Sequence, residues 1–311
     1  VESFEKDAFK ELKFLKYISL PSSLKSIGSN SFEGCSSLID LIIPDSVNLI
    51  NHHAFSNCSS LEKITIDPYK TKIEIDSFNN CFKLKYLIYG ESVQIIKQHP
   101  QYYFDILNNI LKISTITIPS TVTRIESNSF FGFSYLTQID IPSSVTFIGQ
   151  NAFEGCLSLK QINIPSSVNF IGSRAFVGCS SLSKLIIPQS VNEIGNCAFL
   201  KCYSLNEIHI PSPLKLIGGH TFAKCSSLNE IKIPNSVTTI EENAFEGCSS
   251  LSKIIIPSSV IKIDDISFMN CSSLTTLIIP NSVKSIGMCA FCGCSSLIDL
   301  IIPDSVNLIN H

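Results

Sequence analysis

Residues 142–164 read PSSVTFIGQNAFEGCLSLKQINI, and residues 165–187 repeat the pattern as PSSVNFIGSRAFVGCSSLSKLII. The two prolines are 23 residues apart, and the same step recurs along most of the chain. With this proline as position 0, the consensus is P-x-S-V-x-x-I-G-x-x-A-F-x-x-C-x-S-L-x-x-I-x-I. One such unit cannot bury its own apolar face, whereas stacked units share a continuous core. The repeat therefore predicts a right-handed solenoid that forms one elongated domain.

The recurring positions have physical roles. The end of each unit, as in Ile162-Asn163-Ile164, alternates between apolar and polar residues, which indicates a short strand with its apolar side inward. The following proline lacks an N–H and ends that strand. A small residue at +10 and Phe at +11 are expected inside the solenoid, and Ser or Thr at +2 is expected to bond backbone groups in the bend.

The domain is predicted to comprise a partial unit at 1–20, full units over 21–302 and a partial unit at 303–311. A six-residue insertion lies within 97–112, where apolar residues at three- and four-residue steps indicate a short amphipathic helix. This insertion is interpreted either as a loop that packs its own apolar side or as a recognition element, with Tyr102 and Tyr103 as a possible epitope. Residues 294–311 repeat 35–52 letter for letter and stop within a unit, so we expect the array to continue or a partner to cover this end. End-to-end self-association is therefore a possible outcome.

The L-x-x-I-x-I-P-x-S-V-x-x-I-G-x-x-A-F-x-x-C spacing closely resembles the 23-residue leucine-rich repeat of BspA-like surface proteins. The resemblance covers essentially the whole chain and is weakest over 67–118. It implies an α/β-type repeat solenoid, a curved arc with a parallel strand ladder on the concave face and short helical or irregular turns on the convex face. It also implies a cell-surface location and adhesion to host proteins or cells.

Composition and spacing argue against several other classes of function. The 23 basic and 26 acidic residues nearly balance, which disfavours a nucleic-acid partner, and the apolar runs are too short to span a membrane. Cysteine at +14 recurs every 23 residues, a spacing typical of buried unpaired thiols and not of a metal site. Cys289, Cys292 and Cys294 lack a fourth ligand nearby. Glycine at +7 is interpreted as turn punctuation. No Ser/His/Asp or Cys/His set can be placed on one face, so we expect no enzyme activity, metal, cofactor or small-molecule substrate.

The most informative surface position is +21, the outward residue of each predicted ladder strand. From the N-terminus this position is occupied by Ser19, Ile42, Thr65, Ile88, Thr117, Asp140, Asn163, Ile186, His209, Lys232, Ile255, Ile278 and Ile301. Three consecutive isoleucines make an apolar stripe with polar neighbours, which is typical of an interaction site, although isoleucine is also simply a good strand residue. The predicted partner-binding residues on the concave face are His209, Lys232, Ile255, Ile278 and Ile301.

The favoured interpretation is a non-catalytic protein-binding array, a cell-surface adhesin that contacts host or extracellular-matrix proteins. The alternative is a cytoplasmic leucine-rich repeat scaffold or regulator that docks a signalling enzyme such as a phosphatase. Unpaired cysteines favour the cytoplasm slightly, whereas the family resemblance favours the cell surface.

Overall fold

The structure is a computed structural model that describes residues 1–90, 95–97 and 105–309. Contacts divide the chain into two compact bodies. The N-terminal body is Val1–Val122 with Tyr135–Pro142, and the C-terminal body is Thr123–Ser134 with Ser143–His311. Each body is a parallel-strand β-solenoid in which most 23-residue repeats contribute a two-residue strand at +5 and +6 and a longer strand beginning at +19.

The N-terminal body contains ten strands of these two kinds within the described residues. Its short strands are β1 (Ser3–Phe4), β2 (Ser26–Ile27), β4 (Leu49–Ile50), β6 (Lys72–Ile73) and β8 (Ile95–Ile96). Its longer strands are β3 (Asp40–Ile42), β5 (Lys63–Ile66), β7 (Tyr86–Tyr89), β9 (Thr115–Thr117) and β11 (Gln138–Asp140). The longer strands form one parallel ladder in the order β11-β9-β7-β5-β3, and β1-β2-β4-β6 form a second.

The C-terminal body repeats the arrangement. Its short strands are β10 (Arg124–Ile125), β12 (Phe147–Ile148), β13 (Phe170–Ile171), β15 (Glu193–Ile194), β17 (Leu216–Ile217), β19 (Thr239–Ile240), β21 (Lys262–Ile263), β23 (Ser285–Ile286) and β25 (Leu308–Ile309). Its longer strands are β14 (Lys184–Ile186), β16 (Glu207–His209), β18 (Glu230–Lys232), β20 (Lys253–Ile255), β22 (Thr276–Ile278) and β24 (Asp299–Ile301). The longer strands pair as β14-β16, β18-β20 and β22-β24, and we call their solvent-facing side the ladder face.

Strand register follows the sequence repeat directly. Lys232 pairs with Ile255 and Ile278 with Ile301, so equivalent positions of adjacent repeats lie side by side. This register keeps identical residue types in columns through the core. The rings at +11 stack in the C-terminal body at centroid separations of 5.2 to 5.7 Å, from Phe130 to Phe291.

Of the short helical or irregular turns expected opposite the ladder, the helical form is not supported, and the turns are irregular. Within the described ranges the only helical segment is the six-residue π-helix Asp105–Ile110 in the insertion. Positions +9 and +13 adopt positive φ instead, as at Asn151 (54°) and Gly155 (78°). The amides at +10 and +12 donate to carbonyls three residues earlier, whereas those at +9, +11 and +13 donate to the next repeat, for example Phe153 N to Ala175 O at 2.8 Å. Because these donors pair between repeats and the chain turns twice through the left-handed region, a helical i→i−4 ladder cannot form.

Two other recurring residues link neighbouring repeats. The serine hydroxyl at +2 donates to the carbonyl at +3 of the preceding repeat, as from Ser190 to Val168 O at 2.6 Å. Glycine at +7 is needed for close approach, since a Cβ on Gly149 would lie 2.5 Å from Ser127 N. Glycine at +7 is therefore required by the close approach of the neighbouring backbone and not by a turn. The glycines that adopt positive φ in turns are at +13.

Candidate protein-binding face

The ladder strands direct alternate side chains into the core and into solvent. Leu277 and Ile279 are buried, whereas Ile278 between them is 62% exposed. The same alternation appears in β16 and β18, where His209 and Lys232 are exposed beside buried Ile208 and Ile231. The outward orientation predicted for position +21 is confirmed at these residues.

Three consecutive repeats of the C-terminal body expose isoleucine on the ladder face. Ile255, Ile278 and Ile301 are 61%, 62% and 59% exposed. We call these three residues the isoleucine row. Exposed apolar groups that are contiguous, and not scattered singly, are typical of interaction sites.

Two grooves are lined in part by residues of the isoleucine row. A groove of about 600 Å³ is lined by Lys253, Ile255, Thr276, Ile278 and Pro280, among others. A second groove, of about 640 Å³, shares Ile278 and Pro280 and extends to Ile301. The isoleucine row thus lines two adjoining grooves, and Thr275, Thr276 and Lys253 line the first of them beside Ile255 and Ile278, a mixture of apolar and polar groups that is also found in protein interfaces.

The polar residues of the predicted site line a separate groove of about 310 Å³. His209 and Lys232 lie there with Gln189, Ser212 and Asn235. Among the described residues, no carboxylate lies within ion-pair distance of Lys232. The exposed pair Lys184–Glu207, at 2.8 Å, lies on the neighbouring strands β14 and β16. An unpaired ammonium in a groove favours an anionic group on a partner.

The insertion is only partly described. Tyr102 and Tyr103, the possible epitope, lie outside the described residues, and their role stays a prediction. In the adjoining π-helix, Ile106 and Leu107 are buried at 1% and 2% exposure. This part of the insertion therefore buries its own apolar side chains, and whether the rest of it forms a recognition element stays a prediction.

A Ser–His–Asp cluster forms in the N-terminal body, contrary to the expectation that no such set lies on one face. His53 lies 3.1 Å from Ser56 Oγ through Nδ1 and 3.3 Å from Asp76 through Nε2, and His52 Nδ1 lies 2.9 Å from Asp76 Oδ1. Asp76 comes one repeat after His53, so the solenoid register brings the residues together. Ser56 is only 3% exposed and donates its hydrogen to Asp76 O, an arrangement unsuited to a nucleophile.

The electrostatics of this cluster are those of an ion-pair network between repeats. Burial opposes ionisation of Asp76, but the hydrogen bond from His52 and the charges of His53 and His52 outweigh it, so the pKa of Asp76 lies below its ordinary value. Across the part of the chain that the structure describes, no group of three or more His, Cys, Asp or Glu has the geometry to hold a metal ion.

The whole chain is covered by one repeat family. The family description for the BspA type leucine rich repeat region (6 copies) matches residues 1–107, 100–229 and 215–311. The chain belongs to the BspA-type leucine-rich repeat family. This leucine-rich repeat solenoid is a fold that typically serves as a non-catalytic binding scaffold.

Solved structures of BspA-type and other leucine-rich repeat proteins resemble the chain. A leucine-rich repeat protein from Bacteroides ovatus is 29% identical, with 92% of this chain and 78% of that one covered and a TM-score of 0.63. A leucine rich repeat protein from T. pallidum is 32% identical over 53% of this chain and 79% of that one, with a TM-score of 0.51. One from Eubacterium ventriosum, 22% identical over 91% of this chain and 83% of that one, shares the fold with a TM-score of 0.52. No curated protein matches the chain.

The cysteine column of this BspA-type array consists of free thiols. All thirteen cysteines of the chain are unpaired, and the ten at +14 each donate Sγ–H to the carbonyl of the phenylalanine at +11 of the preceding repeat, for example Cys202 to Phe176 O at 3.2 Å. Burial raises the pKa of Cys202 and of Cys248 to about 12. The predicted burial of the column cysteines is confirmed for nine of the ten, Cys294 being half-buried, and each sulfur also links adjacent repeats.

The described part of this BspA-type chain contains no helix that is both long enough and apolar enough to span a membrane.

Proposed function

We propose that the chain is a non-catalytic, protein-binding array of the cell surface, an adhesin that engages a host or extracellular-matrix protein through the ladder face of its C-terminal body. The observation that carries the proposal is the isoleucine row. Three adjacent isoleucines, each about 60% exposed over a groove, favour partner binding because a soluble chain gains nothing from leaving them in water.

The chemistry of the face defines the complementary partner. A partner that fits would place apolar side chains on Ile255, Ile278 and Ile301 and an acidic group within reach of Lys232. Full burial of an isoleucine contributes about 1.5–3 kcal/mol. Since about 60% of each side chain is still exposed, each residue of the row would contribute about 1–2 kcal/mol on binding.

Ile278→Asp tests the site, because the change removes the central apolar contact and introduces a charge at a solvent-exposed position. Surface plasmon resonance against a panel of purified extracellular-matrix proteins should show binding weakened by about tenfold or more. Asn163→Asp is the matched control, since it adds the same charge at an exposed +21 position of the same body, outside the row. Circular dichroism should show both variants folded. Equal affinity of the folded Ile278→Asp variant and the wild type would reject this face as the binding site.

The surface location is supported by the resemblance to BspA-like surface proteins, and it has one rival. Thirteen free thiols favour a reducing compartment and hence a cytoplasmic scaffold that docks a signalling enzyme such as a phosphatase. Protease treatment of intact source cells separates the two candidates. Loss of the chain while cytosolic markers survive supports the adhesin, and full protection supports the scaffold.

End-to-end self-association of the chain stays a prediction as well. Multi-angle light scattering of the purified protein over a range of concentrations tests it directly, since a dimer would double the scattering mass.

A further inference from the structure

The segment from +9 to +12 forms the same tight turn in successive repeats. The +9 residue has positive φ in most of them, and the amide of +12 donates to its carbonyl. In the repeat that begins at Pro280, Cys289 occupies +9 with φ 51°, and the distance from Cys292 N to Cys289 O is 3.1 Å. A hydrogen-bonded turn of this kind brings the first and fourth Cα atoms within about 7 Å.

Side chains at +9 and +12 meet across this turn. His53 Nδ1 lies 3.1 Å from Ser56 Oγ in one repeat, and Asn243 Nδ2 donates to Glu246 Oε2 at 3.1 Å in another. The turn geometry is therefore compatible with direct contact between the two side chains, whichever residues occupy these positions.

In the repeat that begins at Pro280, both side chains are thiols and both are exposed. A hydrogen bond with Cys289 raises the pKa of Cys292, in agreement with the approach of side chains across this turn. Cys197 occupies +9 of an earlier repeat, but its +12 neighbour is Leu200, so that turn has a single thiol.

The third nearby cysteine belongs to the core column. Cys294 is half-buried and donates Sγ–H to Phe268 O at 3.2 Å, and burial raises its pKa. The exposed pair thus differs from Cys294 in solvent access, and Cys294 already donates to a core carbonyl.

We propose that Cys289 and Cys292 form a redox-active dithiol site that is oxidised to an intramolecular disulfide by low-molecular-weight disulfides. The Cα separation allowed by the turn overlaps the range of about 4.4–6.8 Å that a disulfide requires. One thiolate attacks the small disulfide RSSR, forming a mixed disulfide and releasing RSH after protonation. The second thiolate then attacks the protein sulfur of the mixed disulfide and releases another RSH. Two protein thiols and one RSSR become one protein disulfide and two RSH.

The test uses the folded full chain and oxidised glutathione as the probe. After an acid quench, remaining thiols are blocked with N-ethylmaleimide in denaturant, and tryptic peptides are measured by mass spectrometry. Residues 285–311 contain no Lys or Arg, so one peptide holds all three cysteines. The expected product is that peptide with two hydrogens fewer and one maleimide, located on Cys294 by fragmentation. Dithiothreitol treatment before blocking should restore three maleimides.

Two variants identify the partners. Cys294→Ala should still form the disulfide, whereas Cys292→Ser should stop at a glutathione adduct on Cys289. Both outcomes support the proposal. A disulfide that involves Cys294, or a wild-type peptide that keeps three maleimides after glutathione treatment at alkaline pH, overturns it. Circular dichroism before oxidation verifies that each variant has the wild-type fold.

Discussion

Phe176 provides the most direct test of how the repeats hold together. Its ring is fully buried between Phe153 and Phe199, at centroid distances of 5.2 and 5.5 Å and interplanar angles of 7° and 11°. Truncation to alanine removes a buried aromatic side chain and leaves a cavity, a change that costs about 3–5 kcal/mol. The loss of stacking on both faces places the expected value at the upper end of that range.

Because each repeat contacts mainly its neighbours, the loss of stability should be local. Hydrogen–deuterium exchange of Phe176→Ala should accelerate in the repeats that contain Phe153, Phe176 and Phe199 by about a hundredfold to a few thousandfold, since each 1.4 kcal/mol corresponds to tenfold. Phe82 is the matched control, because its side chain is 80% exposed and Phe82→Ala should change unfolding free energy by no more than about 0.5 kcal/mol. Similar effects of the two variants, or acceleration spread evenly over both bodies, would refute the stacked-column argument.

Three further changes test other parts of the structure. Gly149→Ala should lower the unfolding free energy by about 3 kcal/mol or more, because the new Cβ would lie 2.5 Å from a backbone nitrogen. Gly178→Ala should lower it by only about 1–2 kcal/mol, because there is open space around its Cβ but its φ is 70°. Urea denaturation of both variants measures the two losses of stability. The pKa of Asp76 is depressed in the folded chain, so its carboxylate stabilises the fold above the unfolded pKa of about 3.9, and this stabilisation is lost as the pH falls through the folded pKa. Asp76→Asn should remove this part of the pH dependence of the unfolding free energy, measured by urea denaturation at several pH values. The buried column thiols should resist iodoacetamide in the folded chain while Cys289 and Cys292 react, and urea should expose all thirteen, as counted by mass spectrometry.

The sequence predicts the ladder and the core columns well, because every position is sampled a dozen times. The alternation at Ile162-Asn163-Ile164 and the recurring Phe and Cys indicate burial directly, and the exposure of Ile278 follows from the same alternation. The turns are harder to predict, because the left-handed positions accept Asn, Arg, Cys and even Ile266, so no single residue marks them. The recurring Gly, Asn or Lys at +13 was the available signal.

Contacts between repeats are where sequence reasoning fails most clearly. His53 and Asp76 are 23 residues apart, and only the in-register stacking of +9 in adjacent repeats shows that they meet. The same holds for the serine hydroxyls at +2, whose acceptors lie in the preceding repeat, as Val168 O does for Ser190. The sequence pattern predicts whether a side chain lies in the core or on the surface, but its hydrogen-bond or ion-pair partner often lies in the neighbouring repeat.

The claim that the isoleucine row binds a protein partner is tested most directly by site-specific photo-crosslinking. A photoreactive amino acid replaces Ile278 in one variant and Ile261, which is 51% exposed outside the ladder, in the other. Both are irradiated with the panel of extracellular-matrix proteins and with cultured epithelial cells. If the isoleucine row is the binding site, a covalent adduct is expected from position 278 and none from position 261. Adducts from 261 alone, or equal adducts from both positions, would contradict it.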